Sequence, residues 1–137
     1  QPYWQALSEG NLAEILVNLD RADEADLMLQ RAFLREEIGM RSFLLPIMSH
    51  VRRKQRRFDD AARYSAEGVA AADEEGDLLT RAYAWLEYAE ALAANDKHEP
   101  AQSAYATARD LFSQAGMQAD VERLDALMPL APVQAKT

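Results

Sequence analysis

The chain contains no cysteine, which removes disulfides, thiolate metal cages and cysteine nucleophiles together. That fits a reducing compartment, and a cytoplasmic location is expected. Histidine is nearly missing as well, with His50 and His98 the only two. A metal site would need further ligands at fixed spacing, so no metal is expected. No apolar run approaches the ~20 residues that a bilayer-crossing helix requires. There is no glycine-rich phosphate loop, no G-x-S-x-G elbow and no histidine pair on one helix face. Neither enzymatic activity nor a cofactor is expected. Gln1-Pro2-Tyr3-Trp4 lacks the basic start and apolar stretch of a secretory leader. It also lacks an initiating methionine, so the chain is read as a piece of something longer.

What the sequence has in excess is alanine, at 26 of 137 residues, against five glycines and five prolines. That balance belongs to close-packed helices. An apolar fraction of 49% excludes a wholly disordered chain. The length allows one domain or one compact array of repeats. A net charge of −8 opposes nonspecific nucleic-acid binding, which draws its strength from neutralising phosphates.

Internal similarity organises the rest. Three helical patterns run into Gly39, Gly76 and Gly116, at intervals of 37 and 40 residues. Glycine takes the left-handed conformation at a helix end cheaply, so all three are read as helix stops. Upstream of each lies a pair of small residues seven apart: Ala25 with Ala32, Ala61 with Gly68, Ala101 with Ala108. Seven residues make two helical turns, so each pair shares a face that another helix can approach closely. A polar turn precedes each pair, at 18–24, 55–60 and 95–100, with Pro100 placed in the first turn of its helix. Before each turn runs another amphipathic segment: Leu12, Ala13, Ile15, Leu16 and Leu19; then Leu44, Met48 and Val51; then Trp85, Tyr88, Ala89 and Leu92. Seven helices are expected, near 4–19, 22–38, 42–56, 59–75, 77–94, 98–115 and 117–128. No segment alternates with strand period, so an all-α fold is expected. Pro129 and Pro132 mark 129–137 as a tail or linker.

A helix-turn-helix unit of about 34 residues with this small/large pattern resembles the tetratricopeptide repeat (TPR). Trp85, Tyr88, Ala89, Leu92, Ala101, Tyr105 and Ala108 carry the resemblance in the third unit. Leu12, Ala13, Leu16, Ala22, Ala25, Leu29 and Ala32 carry it in the first. The second offers Met48, Ser49, Phe58, Ala61 and Gly68, but Arg52 stands where the pattern wants a large apolar side chain. Either the helix register slips there or the unit is degenerate, and Pro46 in the same helix predicts a kink. The resemblance implies one right-handed α-α superhelix over 1–128, a TPR-like solenoid of three hairpins at about 7–39, 42–76 and 82–116 with a capping helix at 117–128. The units also look like TPR regions of large bacterial signalling regulators, in which repeats follow a nucleotide-binding or cyclase module. Such an array implies a scaffold or regulatory module that binds a protein or peptide in a groove lined by the first helix of each unit. The groove positions correspond to Asn18, His50, Arg53, Lys54, Tyr83, Leu86 and Glu90. The lysines with which chaperone-binding members clamp a C-terminal carboxylate are replaced here by Gly10, Pro46 and Leu86, so that ligand is not expected.

The strongest local anomaly is the basic run Arg52-Arg53-Lys54-Gln55-Arg56-Arg57, holding five of the fifteen basic residues. Without it the chain keeps ten basic and twenty-three acidic residues, a net −13. One reading is a solvated helix end whose cations complement the helix dipole and pair with Asp59, Asp60 or Glu67. The other is a patch that receives an acidic peptide or another protein's carboxylates. The acidic stretches at 20–26 and 73–77 lack the spacing of a calcium loop and read as solvated turns and caps. Trp85, Tyr88, Phe58, Tyr64, Tyr105 and Phe112 read as core. Tyr3 and Trp4 precede the first full unit and either cap the array or form a self-association surface. A purely structural, self-associating array and a sensory region of a transcription regulator or cyclase remain as alternatives.

Overall fold

The computed structural model describes residues 2–35 and 40–127, apart from the side chains of residues 2 and 3. Every regular element among them is an α-helix: α1 Pro2–Asn18, α2 Ala22–Phe33, α3 Arg41–Lys54, α4 Phe58–Glu75, α5 Leu78–Ala94, α6 His98–Gln114 and α7 Gln118–Leu127. The all-α expectation holds. The second helix was expected to reach residue 38, but within the described residues it ends at Phe33, followed by a turn at Leu34 and Arg35. Gly39, the Tyr3 side chain and the tail at 129–137 lie outside the described residues.

Glycine follows the helix end as expected at Gly76 and Gly116, and Gly116 is left-handed with φ 76°, but the left-handed expectation fails at Gly76. Gly76 is extended, with φ −84° and ψ 154°. What it supplies is space, because a Cβ there would stand 2.8 Å from the Ala72 carbonyl oxygen. Left-handed residues instead recur inside the polar turns, at Asp20, Arg56 and Asp96, and at Gly116. Each sits in the same hydrogen-bonded knot. The amide of the residue after it reaches back five positions, from Arg21 to Leu16, Arg57 to Arg52, Lys97 to Leu92 and Met117 to Phe112. This closes the last turn and satisfies carbonyls that the helix end would otherwise orphan. Aspartate tolerates the left-handed region, and the Arg56 guanidinium lies 5.4 Å from the Phe58 ring centre.

Consecutive helices pack in pairs, α1 on α2, α3 on α4 and α5 on α6, and α1, α3 and α5 also pack side by side. All three small-residue pairs are buried, as their spacing required. Pro46 leaves α3 unbroken. Its ring faces Gly68 of α4, where a Cβ would come within 3.3 Å of the ring carbons. Arg52 keeps its place in the helix register and is itself buried, at 7% exposure. The apolar run of α1 divides differently from the expectation. Ala13 and Leu16 are buried, but Leu12, Ile15 and Leu19 are 45%, 54% and 60% exposed. Those three, with Trp4, lie within one angular sector opposite the core face, so α1 is apolar on two sides.

Candidate functional site

Three helices present the same phase of their sequence to one cleft of about 790 Å³. From α1 come Asn11, Glu14 and Asn18; from α3 Pro46, His50, Arg53 and Lys54; from α5 Leu79, Tyr83, Leu86, Glu87 and Glu90. Steps of three and four residues keep each set on one helix face, and the lateral packing of α1, α3 and α5 sets the faces in a row. Asp77 and Arg123 also line it. All seven residues selected from sequence as groove positions line this cleft: Asn18, His50, Arg53, Lys54, Tyr83, Leu86 and Glu90. Tyr83 is half exposed and meets Phe112 edge to face at 5.1 Å, which fixes the ring from behind.

The polar centre of the cleft is an ion pair between α3 and α5. Arg53 donates from Nε and Nη2 to the two carboxylate oxygens of Glu87, both at 2.8 Å. The Ser49 hydroxyl lies 2.8 Å from Glu87 Oε2 and 3.0 Å from the Ala61 carbonyl, with one proton to give to either. Burial pushes the Glu87 carboxyl above its ordinary range, while Arg53 and Ser49 pull it back. Burial opposes the charge on Arg53, but the bonds to Glu87 prevail and hold its pKa above the usual value. The Arg53 Nη1 also stands 3.4 Å from Glu90. At the α1 side, His50 Nδ1 is 3.2 Å from Glu14 Oε2. A carboxylate offers no proton, so this contact places the hydrogen on Nδ1.

The structure does not gather the basic run into one patch. Arg52 turns toward α2, where its Nη1 meets Asp26 at 2.6 Å and Gln55 at 2.7 Å. Its guanidinium lies 5.8 Å from the Tyr64 ring centre. Burial works against the Arg52 charge, and the Asp26 carboxylate outweighs it. Arg53 turns the other way, into the cleft. Lys54 stands 3.9 Å from Asp20, Arg57 pairs with Asp60 at 2.7 Å, and Arg56 covers Phe58. Of the three acids named for pairing from sequence, Asp60 alone meets a residue of the run; Glu67 pairs with Arg41 and Arg63, and Asp59 accepts from Asn95.

Sequence reasoning passed over Glu14, Ser49 as a polar ligand, and Glu87. Glu87 follows Tyr83 by four residues and Glu14 precedes Asn18 by four, so helical phase alone would have found both. His98, the first residue of α6, is largely exposed, 3.8 Å from Asp96 and not part of the cleft lining. Asp77 caps α5 by accepting from the Thr80 amide at 2.8 Å, which lowers its pKa. Among the described residues, no group of three or more histidine or acidic side chains is placed to hold a metal ion. No helix of the described residues is long and apolar enough to cross a membrane. No family model, curated protein or solved structure matches the chain.

Proposed function

We propose that the chain is a peptide- or protein-binding module, built as a TPR-like right-handed superhelix and serving as a scaffold or regulatory part of a larger bacterial protein. The observation that carries this reading is the shared phase of α1, α3 and α5, which concentrates half-exposed apolar and polar side chains in one cleft. Such a cleft offers apolar area from Tyr83 and Leu86 and polar groups at fixed positions around them, the combination by which peptide grooves bind. In this reading Asn18, His50 and Glu90 supply hydrogen bonds. The same module acts without a cofactor and without chemistry of its own. The test is a random peptide library displayed on phage and panned over the immobilised chain. Binders are expected to enrich, and recovery is expected to collapse on Tyr83→Ala with Leu86→Ala. No enrichment, or enrichment indifferent to that double substitution, removes the reading.

A second reading, self-association of the array, has its own support in the outward apolar sector of α1. An uncharged stripe of leucine and isoleucine on a helix is a self-complementary surface for a two-fold pair. Sedimentation equilibrium is expected to show a dimer that Ile15→Glu disperses. A strict monomer at high concentration removes this second reading.

A further inference from the structure

Within the binding reading, the charges of the cleft choose a partner opposite in sign to the one the basic run suggests. Arg53, Lys54 and Arg123 are the cations among the lining residues. Each of them has an acidic neighbour. Arg53 serves two carboxylates at once, Glu87 by two bonds and Glu90 at 3.4 Å. Lys54 stands 3.9 Å from Asp20, and Arg123 pairs with Asp120. One guanidinium shared between two carboxylates leaves negative charge in excess at the α5 wall. On the facing α1 wall, Glu14 has His50 as its neighbour at 3.2 Å, a bond that an imidazole can donate without carrying a charge. The side chains of Glu14 and Glu90 are 43% and 37% exposed, so both carboxylates remain open to a ligand. The same lining holds apolar surface from Leu86 and Tyr83. The rest of the chain reinforces the sign, since a net charge of −8 draws cations toward the surface from a distance.

We infer that the cleft accepts a segment carrying lysine or arginine beside apolar side chains, with Glu14 and Glu90 receiving the basic groups and Tyr83 and Leu86 the apolar ones. An acidic segment meets two open carboxylates, while each cation of the lining already has an acidic neighbour, so it is disfavoured. The inference rests on the peptide-binding reading and sharpens it.

The experiment uses the intact chain and the same displayed random library, with the recovered pool sequenced. On the unaltered chain, lysine and arginine are expected to rise at least twofold over the starting library while aspartate and glutamate fall. Glu14→Gln with Glu90→Gln is expected to erase that bias. Individual recovered peptides should lose roughly two- to fivefold in affinity per substitution, the size of exposed ion pairs, and weaken with added salt. Glutamine preserves the shape and both carboxylates are surface groups, so the folded state is expected to survive, with thermal melting as the check. Glu99→Gln with Glu122→Gln, which removes as much negative charge away from the cleft lining, should leave the bias intact. If that control removes the bias as well, general charge attraction explains it and the inference falls. A pool that depends on Tyr83 and Leu86 but is neutral or acidic overturns this inference alone. A pool that ignores Tyr83 and Leu86, or no pool, overturns the binding reading with it.

Discussion

Helix α3 buries Ser42, Ser49 and Arg52 and half-buries Arg53, whereas the contact between α5 and α6 is made from Ala89, Ala101, Ala104 and Ala108 with Leu92 and Phe112. Both regions hold a helix against neighbours on two sides. In the second, backbones come close and the attraction is spread over many small dispersion contacts. In the first, Leu44, Leu45, Ile47, Met48 and Val51 make the same kind of contact, and two guanidinium–carboxylate pairs that point in opposite directions are added to it, Arg52 to Asp26 and Arg53 to Glu87. The contrast separates two kinds of sensitivity. An ion pair removed from water stands or falls with each partner, since the survivor keeps its desolvation penalty. An alanine interface tolerates polar changes nearby but leaves no room for added volume.

The most severe test of the contrast is Glu87→Ala, which leaves Arg53 in the cleft wall with only its 3.4 Å contact to Glu90. A loss of about 3–5 kcal/mol in urea unfolding is expected, the usual cost of breaking one side of a buried pair. A change below about 1 kcal/mol would show that the pair is solvated and that α3 does not depend on it. Next in size, Ala108→Leu should cost about 1–3 kcal/mol by overpacking the α5–α6 contact. The same enlargement at the exposed Ala106 should be almost silent, and equal effects at the two sites would break the argument. Asp77→Ala removes the α5 cap and is expected to lower stability by about 1 kcal/mol.

The most gradual effect expected is with pH, and it distinguishes the two sides of α3. Burial raises and the bonds from Arg52, Gln30 and Gln55 lower the Asp26 pKa, with the lowering dominant. A depressed carboxyl contributes stability above its unfolded value, near 4, and loses it as pH falls through the folded value. The Glu9 carboxyl, lowered by its bonds to Arg35, follows the same sign. Glu87 runs the other way, because burial raises its folded pKa and it takes up a proton before the unfolded chain does. Acidification should therefore loosen the α2–α3 contact ahead of the α3–α5 contact in residue-resolved hydrogen exchange. The reverse order would contradict the assignment.

Much of this was legible in the residues themselves. The repeat resemblance supplied the seven groove positions, and they fall in one cleft because α1, α3 and α5 present the same helical phase to it. The small pairs Ala25 and Ala32, Ala61 and Gly68, and Ala101 and Ala108 were readable because phase along a helix is a local property. Arg52 was not. A charged residue at an apolar position looks like a fault until Asp26, twenty-six residues earlier, is known to lie against it. Gly116 was read as left-handed and is, whereas Asp20, Arg56 and Asp96 were missed because glycine is the cheapest residue for that conformation and aspartate or arginine only a tolerated one.

The sequence by itself determined the helical class, the near positions of the helices and the faces that alanine leaves smooth, because each follows from interactions within a few turns. Only the tertiary structure decided where the charge goes. A basic run of five residues reads as one patch along the chain, yet side chains a few residues apart on a helix point in different directions. Arg52 and Arg53 are adjacent in sequence and enter opposite interfaces, each neutralised by an acid from another helix. What the cleft has to spare is set by that pairing, and it is carboxylate.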